Sequence, residues 1–475
     1  MLWKVARMAV VAGACVVMTS AVASQALREA VRPGASNPSP AFSNPAPSGS
    51  APGNTTTTPR PSGRPSPAIS SSTVPTSTPT LTESGPPPGP AQQLPPMPQP
   101  ITSVTAYGAV GNGRSDSTNA IAKAVAVAGA RGGTLYFPPG HYLVGGSGLG
   151  SGIQIRSGRP LTIAGAGSGR VTITNTNSAG GLLSIHVDHT MVQGLTLDAQ
   201  TANTRQALGV VANDVTVQFC HILGGRQFFA IYYAGPPGAS PMAPLYDTGN
   251  RLLNDYVSDL VANDGISWSF QENSLIENLV HTGSRLAVYV DRYVTVQNEV
   301  YRPGPQGGGT AGFWISAPSD HITINNFTSY GMGGIISDNG VDVSTNITIV
   351  NERLMVPGNT LRVDAAKGLT IRGCNFGTDG TVLFTGSMAT TSVVVEDCPS
   401  LPMIRFQGNS PVSAEFLADS YASVATAVAH RQTFYNFNSA HPVFSVSGGV
   451  WWNRSGGFFG GAAATYTVTN LSGYN

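Results

Sequence analysis

A short phrase that returns every twenty-odd residues sets the strongest limit on what this chain can fold into. It reads apolar, any, apolar, any, then Asn, Asp or a small residue. It occurs at Val215-Thr216-Val217, Leu252-Leu253-Asn254-Asp255, Leu275-Ile276-Glu277-Asn278, Val294 to Asn298, Ile322 to Asn326, Ile347 to Asn351, Leu369-Thr370-Ile371 and Val393 to Asp397. From Leu252 onward the starts lie 23, 19, 28, 25, 22 and 24 residues apart. A period of this length marks a solenoid. Alternation at period two excludes a helical repeat, and a propeller blade needs about twice as many residues. Charged residues make up only 10% of the chain, too few to clothe the outer faces of helices. The expected fold is therefore all-β: a right-handed parallel β-helix, each coil laying short strands on the coil before it.

Stacking assigns the polar positions. Residues 255, 278, 298, 326, 351 and 397 are expected to form a column of turn side chains that bond one another from coil to coil, a structural ladder. Cys374 and Cys398 share one register and are expected to stack as buried thiols, with a disulfide as the alternative if the geometry suits. With Cys220 they leave an odd number of cysteines once Cys15 is set aside, so at least one thiol is free or paired externally. A solenoid needs covered ends. Asp116 to Asn119 followed by Ala120 to Ala128 predicts a helix stopped by Gly132-Gly133, plugging the N-terminal end. Residues 414–430 are expected to form a second helix near the other end.

Ahead of the repeats lie two other segments. Residues 1–23 read as a signal peptide, with Lys4 and Arg7, an apolar run from Met8 to Met18, and small residues Ala21-Val22-Ala23; a retained N-terminal anchor is the alternative. Residues 24–100 hold 20 of the 35 prolines, all between Pro33 and Pro100. Pro, Ser and Thr in that proportion bury too little apolar area to offset ordering entropy, which predicts a disordered, extended linker. The domain proper is expected at 101–475. These readings point to a protein secreted or associated with a cell wall, without a membrane span after signal cleavage, and monomeric. A net charge of +1 gives no field for nucleic acid. No dense cluster of acids or Cys/His spacing commits to a metal, so no cofactor is expected; calcium is possible but has no clear motif.

Three phrases within about forty residues carry a family resemblance. They are Tyr107 to Gly113, Asp116 to Ile121, and Gly132-Gly133-Thr134-Leu135-Tyr136-Phe137-Pro138-Pro139-Gly140-His141-Tyr142. Their order resembles the opening of the pectate-lyase-like β-helix superfamily, in the branch of rhamnogalacturonases, glycoside-hydrolase-28-related and epimerase-like proteins. The resemblance implies the same fold and action on carbohydrate. Asn112 stands where an Asp is usual. The polygalacturonase members carry an Asn-Thr-Asp-Gly phrase, a paired Asp, Gly-His-Gly and Arg-x-Lys on successive coils. Ala262-Asn263-Asp264-Gly265 resembles only the first, and the Asp-Pro-His phrase of mannuronan epimerases is missing. The bond that is attacked stays open.

Counting from the ladder nominates a site. Three places on stand Ser258, His281, Tyr301 and Ser329; the next place holds Asp259, Thr282, Arg302 and Tyr330. Four stacked coils span about 14 Å, the length of a few sugar rings. The candidate catalytic residues are Asp259, Asp264, His281 and Arg285; candidate substrate-binding residues are Asn263, Trp268, Asp291, Tyr301, Arg302, Trp314 and Tyr330. Two carboxylates suit hydrolysis. An arginine that neutralises a uronate, with a histidine or tyrosine moving protons, suits β-elimination or epimerisation. The partner implied is an acidic polysaccharide. A non-catalytic wall-associated glycan binder and a tailspike-like structural β-helix are the rivals. The insertion between Phe228 and Asn250 is expected to border the groove, and Gly304 to Gly309 to act as a lid.

Overall fold

The computed structural model describes residues 94–475 apart from 146–151, 177–179, 201–204, 225–228, 259–263, 305–310, 338–339, 341, 357–359, 378–379, 387, 402, 408–410, 422–433, 437–441, 452–458, 462, 471 and 474–475. Each coil contributes one strand to each of up to three long parallel sheets, so the chain is a right-handed parallel β-helix. One coil shows the order: Gln271–Glu277 in the first sheet, Val280–Gly283 in the second, Arg285–Tyr289 in the third, then Arg292–Gln297 back in the first. The first sheet has 16 strands, the second ten and the third 13, all among the described residues.

Alternation decides which side chains fill the interior. In the first sheet Val294 and Val296, Ile322 and Ile324, Ile347 and Ile349, and Leu369 and Ile371 all point inward and are fully buried. Register holds each over its counterpart: Val296 pairs Ile324, and Ile324 pairs Ile349. Every buried aliphatic side chain contributes about 1.5–3 kcal/mol, and the columns run the length of the solenoid.

The turn ladder exists, and its first member is Asn254 rather than residue 255. Leu253 pairs Glu277, which sets Asn254 beside Asn278. Aligning Leu252 with Leu275 shifts the count by one, because Leu252 actually faces Ile276. Asn254, Asn278, Asn298 and Asn326 all hold left-handed backbone, φ 54 to 57°, a conformation Asn tolerates well. The Nδ2 of Asn278 donates to Asn254 Oδ1 at 3.0 Å, Asn298 to Asn278 at 3.0 Å, and Asn326 to Asn298 at 2.8 Å. Asp255 instead turns inward, where its carboxylate accepts the backbone N–H of Cys220 at 2.6 Å and of Leu253 at 3.1 Å. Asn298→Ala is expected to cost about 2 kcal/mol, from lost ladder bonds plus a Cβ in the left-handed region, and Asn298→Gly about 1 kcal/mol. Denaturant unfolding of the two variants checks the order.

At the N-terminal end, helix α1 (Thr118–Arg131) buries Ile121, Ala124 and Ala128. Ser117 ties its start to Val110, accepting the N–H at 3.0 Å, and Gly132, at φ 77°, ends it. Residues 94–100 run along the first coils: the Pro98 carbonyl accepts from Thr134 Oγ1 at 2.7 Å and the Pro95 carbonyl from Gln193 Nε2 at 3.2 Å. The helix expected at 414–430 is not formed at its start. Val412–Leu417 and Ser420–Tyr421 are strands, because Val412, Ala414 and Phe416 alternate into the core and Ala418 takes the left-handed ladder position; the rest of that stretch falls outside the described residues. Cys220, Cys374 and Cys398 are buried free thiols, the last two one coil apart in register.

Candidate active site: a trough on the third sheet

The outer face of the third sheet carries a trough whose shape follows from strand alternation. In Arg285–Tyr289 the buried Leu286 and Val288 point inward, which turns Arg285, Ala287 and Tyr289 outward. In Asp264–Ser269, Ile266 and Trp268 point inward, leaving Ser267 and Ser269 outward with hydroxyls 2.9 Å apart. In Ala311–Ser316, Phe313 and Ile315 are inward and Trp314 outward. Register aligns Tyr232, Ser267, Ala287 and Trp314 in one outward column. Two aromatic side chains thus stand three strand spacings apart, about 14 Å, with the small and almost fully buried Ser267 and Ala287 in the row between them.

One flank is charged. Arg285 Nε lies 2.5 Å from Asp264 Oδ1, and the guanidinium sits 4.3 Å from the Trp314 ring centroid. Both side chains of the pair are partly open, 26% and 19% exposed. A bulge between Asp264 and Ile266 brings Asp264 level with Arg285. The other flank is aromatic and hydroxylic. Tyr289 lies 6.5 Å from Trp314, and Ser316 is its register partner. Phe229 stacks on Tyr232 at 5.0 Å, closing one end. Burial pushes the Tyr289 and Tyr232 phenols up, with Arg205 opposing and Tyr289 adding to the shift at Tyr232, so both are hydroxyl donors at neutral pH. The insertion between Phe228 and Asn250 borders the Tyr289 flank: Gly235 lies against Phe270, leaving no room for a Cβ, and the Phe270 ring meets Tyr289 edge-on at 5.8 Å.

The structure gathers Asp264, Arg285 and Trp314, and takes other nominated residues elsewhere. His281 and Tyr301 are fully buried inside the solenoid. Alternation explains this: the third place after the ladder, Val257, His281, Tyr301 and Ser329, faces inward, whereas the fourth, Ser258, Thr282 and Arg302, faces outward, and the ladder shift only puts Val257 in the column in place of Ser258. His281 Nδ1 lies 3.7 Å from Glu299 Oε1, and the Tyr301 hydroxyl donates to the Gly283 carbonyl at 3.0 Å. Burial pushes the Glu299 carboxyl up, with His281 opposing. Trp268 is a core residue packed 4.0 Å from Tyr233. Asp291 is buried and accepts backbone N–H groups of Gln271 at 2.5 Å and Tyr289 at 2.9 Å; the partner of Arg285 is Asp264. Arg302 lies over Tyr330, 5.0 Å from its ring, on the outer face of the second sheet. Asp259, Asn263 and the 305–309 part of the expected lid fall outside the described residues.

Sequence reasoning missed Tyr232, Tyr289, Phe229 and Ser267. The ladder fixes register in the first and second sheets, but corners of unequal length separate it from the third. The signal that remained was the alternation within Phe229-Ala230-Ile231-Tyr232-Tyr233 and Arg285-Leu286-Ala287-Val288-Tyr289. Among the described residues no group of three or more His, Cys, Asp or Glu side chains could hold a metal ion. No described helix is long and apolar enough to cross a membrane.

Residues 101–222 match the family described as rhamnogalacturonase A/epimerase, pectate lyase-like. No curated protein sequence matches the chain. Among solved structures, the Azotobacter vinelandii mannuronan C-5 epimerase A-module is 17% identical, covering 78% of this chain and 99% of its own, with a TM-score of 0.39. The N-terminal fragment of bacteriophage Phi29 gene product 12 is 16% identical over 78% of this chain and 66% of its own, TM-score 0.49. The catalytic unit of a thermostable α-1,3-glucanase from Streptomyces thermodiastaticus is 16% identical over 79% and 69%, TM-score 0.39.

Proposed function

We propose that this protein, whose residues 101–222 carry the signature of pectate-lyase-like proteins of the rhamnogalacturonase A/epimerase kind, is a carbohydrate-active enzyme that binds an acidic polysaccharide in the third-sheet trough and cleaves it there. The observation that carries the reading is Arg285, poised between the Asp264 carboxylate and the Trp314 ring. A guanidinium offers five N–H donors in a fork that matches a carboxylate. With Asp264 on Nε, another edge takes the carboxylate of a uronic acid while the sugar face lies on Trp314.

Neutralising that carboxylate acidifies the carbon beside it, and Asp264 is the adjacent base. Proton transfer to Asp264, formation of the ring double bond and departure of the glycosidic oxygen, protonated by water, complete a β-elimination. Hydrolysis needs a second carboxylate about 5–9.5 Å away, and Asp264 is the one carboxylate among the described trough residues above. The protein acts as a secreted or wall-associated monomer in this reading, with residues 1–23 as signal and the Pro-rich stretch from 24 up to the docked residues 94–100 as spacer.

Incubation with polygalacturonate, alginate and other uronic-acid polymers tests it. The expected result is ultraviolet absorbance from new double bonds together with new reducing ends, and loss of both in Asp264→Asn with binding kept. Reducing ends alone would replace elimination by hydrolysis. Full turnover by Asp264→Asn would remove that residue from the chemistry. Because Asp264 is already ion-paired, a non-catalytic glycan binder is the second reading; binding without either product would favour it. No binding to any uronic-acid polymer would contradict both.

A further inference from the structure

Where the chain re-enters the first sheet, the coils from Gln271 to Glu396 each have one residue with left-handed backbone. Successive coils place Asn273, Tyr293, His321, Asn346, Gly368 and Ser392 there, at φ 51 to 72°. Asn and Gly accept this conformation at little cost; a tyrosine rarely does. Two adjacent coils nonetheless carry Tyr293 and His321, with rings stacked 4.7 Å apart at 26°. Neither is sheltered: Tyr293 is 48% exposed and His321 is also exposed. Burial therefore does not repay the backbone strain, and strain retained at the surface points to a use.

The surroundings carry groups for a polar ring ligand. On one side Arg292 pairs with Glu272 at 2.8 Å and lies 4.3 Å from the ring of Tyr246, which the 228–250 insertion delivers. On the other, Asp320 holds His321 Nδ1 at 2.8 Å and Asn346 Nδ2 at 2.8 Å. Flat rings flanked by fixed charged and amide groups are the chemistry that recognises a sugar, apolar on its faces and hydroxylated on its rim. The platform begins four residues along the strand path from Tyr289, the far flank of the trough.

We propose that Tyr293 and His321 form an outlying sugar platform that holds a pyranose unit of the same acidic polysaccharide beyond the trough. The inference rests on the glycan reading of the trough. It makes the preferred ligand a long polymer, since a short oligomer fills the trough alone.

The test uses the full chain carrying Tyr293→Asn and His321→Asn, which install the residue this column already uses, so the fold is expected to hold or gain stability. Binding to polygalacturonate polymer and to a short oligogalacturonate is measured by calorimetry, beside Arg285→Ala. The platform predicts about tenfold weaker polymer binding for the double variant, the loss expected for a missing ring face, with oligomer binding and its turnover unchanged. Unchanged polymer affinity in the double variant, alongside loss in Arg285→Ala, would overturn the platform and leave the trough standing. Equal losses for polymer and oligomer would overturn it as well, by placing these residues in the trough's own binding. If the parent binds neither probe, both proposals fall together.

Discussion

Glu352→Leu is expected to make the protein more stable, and increasingly so as the pH rises. Glu352 follows the ladder residue Asn351 and turns inward, between the buried Phe327 and Cys374 of the coils on either side. Both carboxyl oxygens are buried without a hydrogen-bond partner among the described residues. Desolvation raises its pKa from the ordinary 4.5 to about 8. A carboxyl raised in the folded state favours folding most when protonated in both states, below about pH 4.5, and that stability is lost as the pH climbs through about 8. The full window is worth about 5 kcal/mol at 1.36 kcal/mol per unit. Leucine has no titration to lose. The stability difference between variant and parent should therefore widen by several kcal/mol between pH 5 and pH 9 in denaturant titrations. A difference of constant size across that range would mean the carboxyl is not held neutral.

A second large effect is expected on the trough. Arg285→Ala should weaken binding of a uronic-acid polymer about a hundredfold, in the range for truncating one member of a charge-assisted, partly desolvated pair. Arg285→Lys keeps the charge but loses the planar fork and the stacking on Trp314, and should recover only part of the affinity. Trp314→Ala should cost about tenfold, the value of the ring face with its cation–π contact. The Arg285–Asp264 pair is partly solvent-screened, so the fold should survive all three changes, which circular dichroism can check. Arg285→Ala at parental affinity would move the glycan off this face.

The solenoid was legible because it repeats. Inward aliphatic pairs, the Asn column and the N-terminal helix each declare themselves through spacing, and the interior requires that spacing of every coil. What one-residue counting could not resolve was Asn254-Asp255, where two adjacent polar residues both suit the pattern and only strand pairing chooses between them. That step put Ser258 where Val257 belongs; His281 and Tyr301, counted from Asn278 and Asn298, lie in the core because alternation turns the third place after the ladder inward. Trp268 and Asp291 escaped for a different reason. An indole and a carboxylate look functional in a list of residues, yet one fills the interior beside Tyr233 and the other serves two backbone N–H groups at a corner. Asp264, Arg285 and Trp314 were nominated from chemistry, and the third sheet brings them together. Tyr232 and Tyr289 were overlooked because their register depends on corners whose lengths the ladder does not constrain.

The most direct test of the trough is a crystal structure of the protein with a short oligouronide bound. A uronate carboxylate is expected within hydrogen-bond distance of the Arg285 guanidinium, with a sugar ring lying on Trp314. An oligouronide seated instead on the second sheet, against Arg302 and Tyr330, with the third-sheet trough unoccupied, would contradict it.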